Sequence, residues 1–289
     1  MKKQKSNMFY VLILIPSLLL FAIFFVVPVV QSLFLSFTDS FGLKTSYHFI
    51  GLANYIEALT DQSFIQTIYV SFEFTAIAVI VGNILSLGLA LLLDSSMKFR
   101  SVLRSVFFIP NIMSLLVVGY VWSFIYTKSI PDLLQALGKP TVAILGNIHA
   151  VVPALALAAI WNAAGYYMII YLAALQGVSQ DLLEAARIDG AGPMTVLFRI
   201  KLPLISPSII TCLILSIAAH IKTFEIPYAM TSGGPAGAST TLVLKIYDTA
   251  FNANSTGYAT AQSTIMFIII ATFTLLLDWQ MRRREDKIS

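Results

Sequence analysis

The chain has 289 residues, 58% of them apolar and 11% charged, with a mean hydropathy of +0.84 and a net charge of +4. A soluble domain carries about 25% charged residues, so a chain this apolar cannot cover its surface with groups that water solvates. The same numbers exclude disorder, and Cys212, alone in an apolar run, excludes a disulfide scaffold.

A helix needs about 20 mainly apolar residues to cross about 30 Å of hydrocarbon. Six stretches qualify, at about 9–35, 64–93, 106–126, 149–175, 204–230 and 258–281. In lipid every backbone N–H needs an internal partner, so all six are expected to be helices. The third is the most interrupted, with Pro110 and Asn111 near its start. The opening lysines and apolar run have the order of a signal peptide. The run is too long for one and no A-x-A site follows, so an uncleaved span is expected.

Cations sort by side. One set of connections holds Lys2, Lys3, Lys5, Lys98, Arg100, Arg104, Arg187, Arg199, Lys201, Arg282, Arg283, Arg284 and Lys287; the other holds Lys44, Lys128, Lys139 and Lys245. The positive-inside rule then puts both termini in the cytoplasm. The +4 is this asymmetry, not a footprint for nucleic acid. The expected fold is an all-α membrane protein of six transmembrane helices, one transmembrane domain over 1–289 without a separate external domain.

Several chemistries are absent from the sequence. No G-x-x-x-x-G-K-[ST], H-E-x-x-H or G-x-S-x-G occurs, and His48, His149 and His220 are not at metal-ligand spacing. Neither a metal nor a nucleotide site is expected in this chain, nor catalysis by the chain alone.

The loop at about 176–203 is the most specific segment. Ser179 can cap a short helix with Asp181 in its first turn. Gly190 and Gly192 supply stops, Pro193 can open a second short helix, and Pro203 begins the next span. Ala185 and Ala186 leave the first helix flat, and Glu184 sets one charge beside them. On its own this hairpin is equally compatible with an amphipathic element resting at the lipid surface, burying Leu182, Leu183, Ile188 and Leu197.

The spacing of Glu184, Ala185, Ala186, Gly190, Ile200, Leu202 and Pro203 resembles the E-A-A-x-x-x-G-x(9)-I-x-L-P loop of permease subunits in binding-protein-dependent ABC importers. The segments Phe49–Tyr55, Trp161 with Gly165-Tyr166, Leu172–Gln176 and Phe224–Pro235 are similar to further stretches of the carbohydrate branch. Within the last, Glu225 stands where Asp is usual; Val178-Ser179 replaces a common I-P. The resemblance is to the first-permease type of the maltose, glycerol-phosphate and multiple-sugar systems.

The resemblance implies a coupling role for Glu184, Ala185, Ala186, Asp189, Gly190, Ile200, Leu202 and Pro203, docked on one of two cytoplasmic ATPase subunits that hold ATP and Mg. It also implies a second permease beside this one, an extracytoplasmic binding protein that delivers a carbohydrate, and a bacterial or archaeal cytoplasmic membrane. A non-sugar solute such as glycerol phosphate or a polyamine is the nearest alternative; a membrane-embedded enzyme or a self-sufficient secondary transporter is more remote.

Ionisable groups inside spans are functional candidates. Glu73, Lys222 and Glu225, with Asn162, Tyr166, Tyr167 and His220, are candidates for a sugar path, and Trp161 for stacking on sugar faces. Lys222 and Glu225, three residues apart, are expected on one helix face. The bland alternative is mutual neutralisation of Glu73 and Lys222 between packed helices. Asn83 and Asn111 are expected to join helices through hydrogen bonds.

Overall fold

The computed structural model of the protein describes residues 14–42, 47–94 and 98–285, with side-chain surroundings through residue 275. Residues 9–13 of the first stretch, and Lys2, Lys3, Lys5, Lys44 and Lys287, lie outside these. The regular elements among the described residues are all helices, with one isolated antiparallel bridge, Thr38 to Phe49, and no strand.

In chain order the helices are α1 Leu14–Leu35, α2 Ala53–Thr60, α3 Gln62–Asp94, α4 Arg100–Ile112, α5 Leu115–Ala136 and α6 Val151–Gln176. They continue with α7 Gln180–Ile188, α8 Pro193–Leu204, α9 Ser206–His220, α10 Glu225–Thr231, α11 Leu242–Tyr247 and α12 Thr256–Glu285. Four of them, α1, α3, α6 and α12, are long and apolar enough to cross a membrane singly. Two bent pairs reach that length together: α4 with α5, at 99°, and α8 with α9, at 65°. The described residues therefore hold four to six candidate spans.

The chain divides into two compact units. The first comprises Met1–Ile65 and Ile246–Ile268. Its helix α1 has no buried residue in its most apolar window, so that surface is left for lipid or another chain. The Phe49–Tyr55 segment folds around Asn54, whose Nδ2 donates to the carbonyls of Ser36 and Thr38, both at 2.9 Å. Gly51 takes the left-handed turn (φ +62) that leads into α2. The Tyr55 hydroxyl meets the Ser36 hydroxyl at 2.6 Å. Asp39 accepts from the His48 backbone N–H and lies 3.1 Å from its Nδ1, which holds the exposed carboxyl below its usual range.

The second unit comprises Gln66–Lys245 and Ile269–Ser289. Helix α6 is its centre, because its apolar residues and many alanines serve two cores in sequence. Val151–Ile160 packs with Val70, Phe74, Ala78, Val118, Ile226 and Met230, and Tyr167–Leu175 packs with Ala90, Leu93, Leu183, Val196, Ile205 and Cys212. Asn83 donates to the Ser216 hydroxyl and accepts from the Tyr171 hydroxyl, joining α3, α9 and α6 as expected of an intramembrane amide.

Two glycines set the closest approaches. A Cβ on Gly165 would run into the Phe107 carbonyl and the Phe108 backbone, so α4 lies against α6 only because that side chain is missing. At Gly119 a Cβ would stand 2.6 Å from the Ala229 Cβ, so α5 and α10 also pack closely there.

Two expected spans are corrected. The stretch at 106–126 is not one helix: α4 begins at Arg100 and ends at Ile112, and Met113 and Ser114 are extended (ψ 143 and 137) before α5 starts. Pro110 supplies no N–H to the ladder, and its carbonyl accepts from Met113 N at 3.2 Å and Asn162 Nδ2 at 2.6 Å. The stretch at 204–230 is also interrupted, between His220 and Glu225. Pro227 has no N–H for the Thr223 carbonyl, which instead accepts from the Thr241 hydroxyl at 2.9 Å.

The end of α3 is tied to α8 by Lys201 Nζ and Asp94 Oδ2, 2.7 Å apart and about a fifth exposed. Charge-assisted bonds of this kind contribute about 1.5–3 kcal/mol. Asp94→Ala, Lys201→Ala and the double variant, compared by thermal unfolding, are expected to show a coupling energy above about 1 kcal/mol. Purely additive effects would count against the tie.

Candidate functional site

The residues of the loop at about 176–203 divide by direction. Gly177 ends α6, and Ser179 sits at the N-cap position of α7 with extended backbone (ψ 129), though its hydroxyl makes no capping bond. Asp181 occupies the first turn of α7, where its charge favours the helix N-terminus. The helix closes in a Schellman arrangement: Gly190 N donates to Arg187 O at 3.0 Å and Ala191 N to Ala186 O at 2.9 Å. That closure needs φ +82 at Gly190.

Pro193 then opens α8, whose last turns contain a π-helical segment, Leu197–Lys201. Leu183, Val178, Val196 and Ile205 are buried, with Ala186, Ala191, Ile200 and Leu202 packed on them. Glu184, Ala185, Asp189, Gly190 and Pro203 are exposed. Around them stand Ile188 (87% exposed), Met194 (68%) and Phe198 (63%). One part of the motif therefore holds the hairpin on the helix core, and the other presents a small-residue face with a carboxylate and an apolar rim.

An open cavity of about 410 Å³ is lined by residues of α3, α4, α5, α6, α9, α10 and the α9–α10 link. Six of the seven path candidates line it: Asn162, Tyr166, Tyr167, His220, Lys222 and Glu225. Phe74, Asn111 and Thr223 complete its polar and aromatic wall. Tyr166 and Tyr167 meet edge to face at 5.2 Å, and His220 lies 6.1 Å from the Phe74 ring.

The break in the fifth stretch changes the relation of the two charges. Lys222 lies in the irregular link between α9 and α10, and Glu225 is the first residue of α10, so they do not share a helix face. Among the described residues neither belongs to an ion pair. Glu73 is exposed on α3 and does not line the cavity; its neighbour Phe74 does. The mutual neutralisation of Glu73 and Lys222 is not formed.

Three further placements differ from expectation. Trp161 does not line the cavity but packs edge-on to Trp122 at 6.0 Å. Asn111 lines the cavity in place of bridging helices. The donor side of Asn162 is committed to Pro110, which leaves it half structural. The role of Thr241 in relieving the Thr223 carbonyl had no local signal, because the two residues are 18 apart in sequence.

Residues 96–289 match the family of binding-protein-dependent transport system inner membrane components. The multiple sugar-binding transport system permease protein MsmF of Streptococcus mutans is 34% identical over 266 residues, covering 91% of each chain. The trehalose/maltose transport system permease protein MalF of Thermococcus litoralis is 31% identical over 289 residues, covering 99% of this chain and 97% of its own. A bacterial ABC transporter for import of the acidic polysaccharide alginate has the same fold, with a TM-score of 0.86 at 22% identity over 98% of both chains.

The chain belongs to the family of binding-protein-dependent transport system inner membrane components. It is a permease subunit, an apolar helical protein of the membrane, as its relatives are.

Proposed function

We propose that this permease forms, with a second permease, the membrane pathway of an ATP-driven sugar importer. In this reading α4 with α5 makes one further span and α9, continued by α10, makes another, giving six crossings with both termini and the α7–α8 hairpin in the cytoplasm of a bacterium or archaeon. The cation asymmetry supports that orientation. Two ATPase subunits holding ATP and Mg would dock on the exposed face around Glu184, Ala185, Asp189 and Gly190. Ala186, Ile200 and Leu202 would act from beneath by fixing the hairpin to α6 and α3, and Pro203 by starting the turn into α9. An extracytoplasmic binding protein would deliver the sugar.

The observation that carries the solute assignment is the cavity at the α9–α10 break. It combines donors and acceptors of both signs with tyrosine rings, the mixture that hydroxyl groups and the apolar faces of a sugar require. A helix interrupted beside a cavity is also how membrane proteins tolerate irregular backbone at depth. The names of the sugar-transport relatives point to the same solute class. Glu73 stands outside this set of contacts.

The test uses the assembled complex in proteoliposomes with its binding protein and a panel of sugars. One sugar is expected to stimulate ATP hydrolysis. Tyr166→Ala and Glu225→Gln are expected to lower that stimulation about tenfold or more, the scale of one lost polar contact, with basal hydrolysis kept. Unchanged sugar dependence in both variants would remove the proposed contacts; stimulation by glycerol phosphate or a polyamine alone would replace the sugar.

A further inference from the structure

Where α4 and α6 approach the α7–α8 hairpin, they leave a groove of about 270 Å³ lined by Arg104, Ser105, Phe108, Ile169, Leu172 and Gln176. Arg104 is half-buried. Its guanidinium makes one long bond, 3.5 Å from a terminal nitrogen to the Leu93 carbonyl, and its Nε is buried with no acceptor. Among the described residues no carboxylate pairs with it. Asp94, the acid just before this segment, is already held by Lys201. Exposed Lys98 and Arg100 add two more positive charges at the start of α4.

A guanidinium cannot relieve this situation by losing its proton. What it lacks is an acceptor, and the surplus of cations calls for one that is negative. The groove is also graded. Arg104, Ser105 and Gln176 lie at the hairpin end, while Phe108 on α4 and Leu172 and Ile169 on α6 follow one to two turns deeper, about 5–10 Å at 1.5 Å per residue. A polar end at the membrane surface leading to an apolar wall matches one leaflet of a phospholipid.

We propose that this groove binds an anionic phospholipid, with the phosphodiester on Arg104 and an acyl chain along Phe108, Leu172 and Ile169. The proposal rests on the membrane orientation given above for the hairpin end, and not on the identity of the solute. Basic pockets between helices on the positive side of a membrane are suited to such headgroups.

The experiment places the full-length purified chain in nanodiscs of equal phosphatidylglycerol and phosphatidylcholine and counts retained lipids by native mass spectrometry. Wild type is expected to retain phosphatidylglycerol over phosphatidylcholine by about tenfold, and Arg104→Gln to lose that preference. Millimolar inorganic phosphate is expected to leave the lipid in place, because the acyl contacts remain.

Should Arg104→Gln fail to fold, Ser105→Trp, which fills the groove from an exposed position, is expected to expel the lipid from a monodisperse protein. Equal preference in wild type and variant overturns the proposal, as does displacement by phosphate alone. So does cross-linking of Ser105→Cys to the second permease, which would mean that protein covers the groove. The lipid count is made on this chain alone, so a failure to assemble with ATPases would sink the importer reading while leaving the groove's own result intact.

Discussion

Glu184→Lys is expected to abolish uptake while leaving the protein inserted and assembled with its fellow permease. The carboxylate is exposed on α7 and among the described residues forms no ion pair, so its own fold loses little when it is reversed. Surface changes of this kind stay within about 0.5 kcal/mol. Truncating one member of a buried interfacial charge pair costs about 2–5 kcal/mol, and reversing the charge adds repulsion. At 1.4 kcal/mol per decade, that is at least a 30-fold loss of docking.

Gly190→Val is expected to reach the same end by a different route. Its φ of +82 serves the Schellman closure, and a β-branched residue held in that region costs about 1–3 kcal/mol and reopens the end of α7. Uptake and ATP hydrolysis in membrane vesicles check both variants. Normal uptake with Glu184→Lys present at wild-type levels would sink the coupling role.

Gly165→Ala is expected to have the largest effect on folding of any single methyl added to this chain. The new Cβ would occupy the place of the Phe107 carbonyl and press on the Phe108 backbone, and neither can rotate away as a side-chain end would. The helices must part, opening contacts along the second core, and overpacking of this severity costs about 3 kcal/mol or more. Gly88→Ala on α3 is the control: no atom lies within 4 Å of a Cβ there, and replacing a helical glycine by alanine is expected to stabilise by up to about 1 kcal/mol. Thermal unfolding of the purified proteins separates them. Similar melting of both variants would show that the two helices can move apart at little cost.

The α7–α8 hairpin was legible because each of its devices is local. A cap position, a glycine stop and a proline start lie within a turn or two of the helices they shape. The cavity residues were legible for another reason: charged and amide groups in apolar stretches have few permissible places. Pro110 marked the third stretch as interrupted, but the break after His220 was not visible to hydropathy, which counts apolar residues and cannot tell whether Pro227 leaves a carbonyl that a distant hydroxyl such as Thr241 relieves. Glu73 shows the limit on the other side. Its place in the stretch made it a candidate, but the rotation of α3 turned Phe74, its neighbour, to the cavity. Lys201 and Asp94, 107 residues apart, carried no pairing signal at all.

Helix α3 puts two distant events on one rod. Asp94 at its end is gripped by Lys201 of the hairpin, and Phe74, on the same unbroken helix, forms part of the cavity wall. Twenty residues separate them, about 30 Å along the axis. A hydrogen-bonded helix shortens or stretches little, so an axial pull applied at Asp94 would be felt at Phe74. Mechanical work done at the α7–α8 hairpin would need no relay of side chains to reach the cavity wall.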